Sequence, residues 1–108
     1  AINGLKLPTT FVPDNPAANV RSFVDEYKKR YGQEPNQFAA QAYDAVGIML
    51  DALKRAGPNA TRAQLRDQLA ATKNYPGVTG ATTFDPATRE PSKSLARMEV
   101  KGGKFVVM

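Results

Sequence analysis

The sequence predicts an α/β fold, read in order as a strand, three helices, a strand and an antiparallel hairpin. Three observations predict it. Apolar residues recur every three or four positions through the first two-thirds of the chain, the spacing of helices with one buried face. Near the C-terminus the period falls to two, as in a strand with one face covered. Gly and Pro pairs sit where the periodic segments end, as element boundaries require.

Each element has its own warrant. Residues 2–7 read as a strand on Ile2, Leu5 and Leu7, weakened at Gly4 and stopped by Pro8. Residues 9–14 form a loop in which Phe11 and Val12 are apolar anchors. Asn15-Pro16 opens the first helix, an Asn cap followed by Pro at the first helical position. Val20, Phe23, Val24, Tyr27 and Tyr31 form its apolar stripe, and Gly32 is placed to end it in a left-handed conformation. A second helix is expected over Gln37–Ala56, closed by Gly57-Pro58. Its apolar positions cover more than half of its circumference, which predicts the most buried element of the fold, with Val46, Met49 and Leu53 in the core. Thr61 with Gln64 makes a capping box for a third helix to about Ala71, with Leu65 and Leu69 on its inner face. A strand follows over residues 78–84, then a polar loop to Ser94. Ala96, Met98 and Val100 alternate with Arg97, Glu99 and Lys101, and Gly102-Gly103 supplies the hairpin turn into 104–108.

With 108 residues the chain suits one domain. It contains neither Cys nor His, which removes disulfide scaffolds, the usual zinc sites, thiol nucleophiles and His-based acid–base catalysis. The net charge of +5 raises nucleic acid as a partner. The basic residues answer against it. They are scattered among acids without aromatic interleaving, and the one run, Lys28-Lys29-Arg30, directly follows Asp25-Glu26. Enzymatic readings are equally thin. Asp44 and Asp51 share one side of the second helix and read as solvent-side acids. Ser92-Lys93-Ser94 lies in a polar loop with nothing to bury the lysine as a Ser–Lys nucleophile needs. Gly77-Val78-Thr79-Gly80 precedes a strand, not a helix, so it is no phosphate cradle. Residues 85–90 lack the alternating acids of a calcium loop. The expectation is a non-enzyme with no catalytic residues, no metal and no cofactor. No apolar run approaches the roughly 20 residues of a membrane span.

Several residue groups together resemble a family. They are Phe23-Val24-Asp25-Glu26-Tyr27, Tyr31-Gly32-Gln33-Glu34-Pro35, Ala42-Tyr43-Asp44-Ala45-Val46 and Gly77-Val78-Thr79-Gly80 leading to Phe84-Asp85-Pro86. Thr88-Arg89-Glu90-Pro91-Ser92-Lys93 and Val100-Lys101-Gly102-Gly103-Lys104-Phe105 follow in the same order and at family spacing. Together they look like the C-terminal part of the periplasmic substrate-binding proteins of branched-chain amino acid ABC transporters. The resemblance implies the C-terminal part of a two-lobed fold, of which this chain covers about a third. It also implies a periplasmic location and delivery of a small ligand, an amino acid or a small carboxylic or aromatic acid, to an ABC transporter permease. The chain starts at Ala1 rather than Met and is expected to be a piece of a longer protein. Its partners would then include the missing N-terminal part, with self-association of the fragment through uncovered faces as an alternative.

Hinge crossings are expected at 8–14 and 86–94, with the three helices in one lobe and the terminal strands in the other. Phe38, five residues before Tyr43, resembles the family's aromatic ligand contact at the N-terminus of this helix. A rigid ring there offers a large apolar area with little rotamer freedom to lose; the alternative is that Phe38 is an ordinary core residue. Gln41, one turn on, is expected to face solvent rather than add an amide to the rim. Tyr43 and Asp44 resemble motif residues that serve packing and helix-end hydrogen bonding, without ligand contacts. The alternative reading, from another class, is a small basic interaction module that binds a protein or nucleic acid by itself.

Overall fold

Three helices and two separate three-stranded antiparallel sheets make up the computed structural model, which describes residues 2–108. The elements are β1 (Lys6–Thr9), α1 (Ala18–Tyr31), α2 (Gln37–Ala56), α3 (Arg62–Ala70), β2 (Tyr75–Gly77), β3 (Gly80–Phe84), β4 (Pro91–Ser92), β5 (Ala96–Lys101) and β6 (Lys104–Val107). One sheet has the order β1-β5-β6 and joins the two ends of the chain. The other, β2-β3-β4, lies with the helices. The radius of gyration is 16.0 Å. A compact domain of this length would have about 13 Å. The chain is elongated because the substantial contacts fall within each group of elements rather than between them.

Pro8 does not stop the first strand. It pairs with Arg97 inside β1, which is tolerated because β1 is a sheet edge and the missing N–H faces no partner strand. Residues 2–5 precede the strand as a turn. The first helix begins two residues later than Asn15-Pro16 suggests. Asn15 Oδ1 accepts from Ala17 N at 2.9 Å, so the cap-like bond closes a turn ahead of the helix. Gly32, at φ 70°, ends it as expected. The capping box of α3 is complete, with Thr61 Oγ1 accepting from Gln64 N and Gln64 Oε1 accepting from Thr61 N. Gly102 and Gly103, both at positive φ, turn the β5–β6 hairpin between Lys101 and Lys104.

The expected strand over 78–84 is instead a hairpin. Tyr75 pairs with Thr82 and Gly77 with Gly80, leaving Val78-Thr79 as the turn, with Gly80 at φ 92°. Two residues of the polar stretch, Pro91 and Ser92, add β4 to its edge.

The core gathers Phe11, Val20, Phe23, Val24, Ala40 and Val78 where the loop, two helices and the hairpin turn converge. Phe11 meets Phe23 edge-on at 5.8 Å between centroids, a favoured aromatic geometry. The second helix has the predicted span and the opposite buried face. Ala40, Asp44, Ile48 and Ala52, one row at steps of four, are the buried residues of its twenty. Val46 is 61% exposed, and Met49 and Leu53 are also exposed. The small alanines let the helix lie close to the hairpin, and nothing among residues 2–108 covers the apolar side. The helix is therefore not the most buried element within this chain.

Candidate functional site

Asn36 fixes where α2 begins. Its side chain accepts from Ala39 N at 3.0 Å, satisfying one of the amides that a helix start leaves unpaired. Phe38 therefore falls in the first turn, and its ring is 71% exposed. By itself one uncovered ring is ordinary surface; a contiguous apolar patch is what marks a binding face. The same turn is tied to the chain leaving β1. The Thr9 hydroxyl lies 3.4 Å from Gln37 Oε1, and Gln41 Nε2 donates to Thr10 Oγ1 at 2.9 Å. Gln41 is exposed, as expected, but is held by this bond.

Two turns along the helix, Asp44 is not a solvent-side acid. It is 2% exposed, and its carboxylate grips the hairpin turn. Oδ1 accepts from Val78 N at 2.9 Å, and Oδ2 accepts from Thr79 N at 2.9 Å and from the Thr79 hydroxyl at 2.5 Å. Hydrogen bonds to an ionised acceptor are the strong ones, and they offset the cost of burying the charge. Lys93 supplies a nearby cation. Its Nζ donates to Thr79 Oγ1 at 2.5 Å and to Thr82 Oγ1 at 2.8 Å. The lysine is half-buried, contrary to the solvated loop read from Ser92-Lys93-Ser94. Asp51, by contrast, pairs with Arg55 on the helix surface. Tyr75 packs its hydroxyl against Gly47, and burial, with the Asp44 charge adding to it, pushes its pKa above the usual tyrosine value.

Two concavities flank α2. A groove of about 980 Å³ runs between α1 and α2, walled by Tyr27, Tyr31, Tyr43, Val46 and Leu50. A smaller one of about 410 Å³ lies on the other side, among Gln41, Ile48, Leu69, Phe84 and Lys93. The basic run Lys28-Lys29-Arg30 occupies the last turn of α1, where cations complement the helix dipole. Lys28 pairs with Glu34 and Arg30 with Glu26, so two of the three cations of the run are neutralised by neighbouring acids. Among the described residues no cluster of acids could hold a metal, and no helix is long and apolar enough to cross a membrane.

Residues 1–104 match the family model described as periplasmic binding protein. The chain belongs to the periplasmic binding protein family. Solved structures of similar proteins agree. A protein from Rhodospirillum rubrum assigned to branched-chain amino acid ABC transport is 52% identical, with a TM-score of 0.89. A leucine binding protein from Thermotoga maritima is 32% identical, with a TM-score of 0.77. A solute binding protein of an ABC transporter from R. palustris, in complex with benzoate, is 28% identical, with a TM-score of 0.84. Each match covers 99% of this chain and only 31%, 30% and 29% of the respective relative, so the periplasmic binding protein chain described here spans under a third of each. Among curated proteins nothing matches.

Sequence reasoning named Phe38 and missed the Asp44–Thr79–Lys93 network. The signal for the network was present in Tyr43-Asp44-Ala45 and Gly77-Val78-Thr79-Gly80, two motifs distant in sequence that the fold joins.

Proposed function

We propose that this chain supplies part of both lobes of a solute-binding protein of an ABC transporter, the helical group to one and the terminal strands to the other, together with two hinge crossings. The whole protein would work at the periplasmic or extracellular face of the membrane. It would close two lobes on an amino acid or a small carboxylic or aromatic acid and deliver it to the permease. Family membership supports the capture of a small ligand. The observation that carries the assignment to this part of the site is the exposed ring of Phe38 beside the chain leaving β1. The crossings would be narrower than 8–14 and 86–94. Phe11 is already packed in the core with the helices, though Asp14 beyond it still accepts from Val107 N at 3.1 Å, and Ser92 still pairs with β3, which leaves about Thr10 and residues 93–95.

The remainder of the protein would cover the exposed apolar side of α2. This chain alone would bind solute weakly, since a closed-cleft ligand is gripped from both lobes.

In the full protein, Phe38→Ala is expected to weaken binding of the accepted solute about 5- to 150-fold, corresponding to roughly 1–3 kcal/mol of lost apolar contact. Calorimetry with leucine and with benzoate as probes measures it. Unchanged affinity in the variant for whichever probe the parent binds would remove Phe38 from the site. Binding of neither probe by the parent would send the search to other solutes.

A further inference from the structure

Lys93 sits at a junction. It follows β4, whose residues Pro91 and Ser92 pair with Phe84 and Thr83 of the helical group. Three residues later Ala96 begins β5, in the sheet of the terminal strands. Lys93 is therefore the last residue held to one group before the chain crosses to the other. A lysine in a connector ordinarily extends its ammonium into water, because removing that charge from water without partners is costly. This one turns inward. Its Nζ meets the hydroxyls of Thr79 and Thr82, residues only 1% and 2% exposed. The Thr79 hydroxyl donates its hydrogen bond to Asp44 Oδ2, leaving an oxygen lone pair to accept from the ammonium. A cation on the crossing, a hydroxyl on the hairpin turn and an anion on α2 thus form one chain of charge-assisted hydrogen bonds.

The opposite crossing is tied to the same helix, through Thr10 to Gln41 and Thr9 to Gln37. Both connectors are thereby held to α2, within two turns of Phe38.

We propose that Lys93 is a positioning residue that clamps the second crossing to α2, confining lobe rotation to Ser94 and Leu95 and so fixing where Phe38 meets the solute. The proposal rests on the solute-binding reading, and the clamp acts through α2 without touching the ligand. With the ammonium removed, Ser92-Lys93 is released from the hairpin and the pivot spreads backward into the connector. The unliganded protein then samples a wider range of angles between the two groups.

The test uses the full protein without ligand, spin-labelled at Asp67 on α3 and Lys104 on β6, both exposed and outside the network. Lys93→Met is expected to broaden the label-to-label distance distribution at least twofold and to speed amide exchange at Ser92 and Lys93, the residues it releases, about tenfold. A purely structural lysine would lower the melting temperature and leave the width unchanged in the folded protein. That result overturns the clamp. Should Lys93→Met fail to fold, Thr82→Val removes one of the two acceptors at constant shape, and its distribution must also broaden for the proposal to stand. The two readings fail separately. A protein that binds no solute yet broadens keeps the clamp, whereas a solute binder of unchanged width loses it.

Discussion

Asp44→Ala is expected to destabilise the fold by about 3–5 kcal/mol, the cost of removing one member of a buried charged network. The substitution leaves the amides of Val78 and Thr79 without an acceptor in a turn that water does not reach. It also strips Lys93 of the anion that its hydroxyl partner relays. Asn is expected to recover little of the loss. Its amide would turn a donor toward one of the donors that the carboxylate now satisfies. Gly77 reports on the same tightness. A Cβ there would stand 2.7 Å from Asp44 Oδ1, so any side chain must displace a carboxylate pinned at both oxygens. Urea denaturation of parent and variant measures the effect. A loss below about 1 kcal/mol would mean that the turn is held by its strands and not by the helix.

The second large effect depends on what accompanies the chain. Val46→Asp and Leu50→Asp are expected to change the stability of this chain by itself within about 0.5 kcal/mol, because both side chains are already exposed. In the full protein the same substitutions are expected to cost about 3 kcal/mol or more, since a carboxylate would enter a packed interface without a partner. The exposed apolar row of Tyr43, Val46, Leu50 and Leu53 carries the expectation. Paired denaturation of the two forms, with sedimentation of the chain alone, checks it. Equal small effects in both would show that the rest of the protein leaves this face bare. A parent chain that self-associates and a Leu50→Asp variant that stays monomeric would identify the same face as the contact.

How far the sequence was legible follows from where each signal resides. Helix spans were readable because caps and stops are local. Asn36, Gly57 and the Thr61–Gln64 box act within a few residues of the boundary that they set. The inward face of α2 was not readable. Periodicity identifies the apolar side, and burial depends on which neighbour arrives. Here a hairpin seats itself on alanines and an aspartate. The same limit hid β2. Tyr75-Pro76-Gly77 has little strand propensity, and its pairing is imposed from a distance by Asp44 and by Asn19, which donates to Gly77 O at 3.0 Å. Phe38 was singled out only through its resemblance to a family position. Periodicity alone would have assigned it to the core, and it is instead among the most exposed apolar residues.

The pairing of β1 with β5 has a bearing on the order of assembly. Lys6 lies opposite Glu99, so the first strand cannot dock until everything between them has been gathered. Closing a loop of roughly 90 residues costs about 4 kcal/mol of chain entropy, while the β5–β6 hairpin closes over two residues and can form in microseconds. The helical group, whose contacts are nearer in sequence, is therefore expected to condense first, and the hairpin to wait as a preformed template. Pulse-labelled exchange during refolding would then find the amides of Leu7 and Thr9 protected last, whereas early protection there would reverse the sequence of events. During synthesis the same arithmetic leaves β1 as an unpaired edge from its emergence until β5 follows, the interval in which a chain of this kind most needs a chaperone.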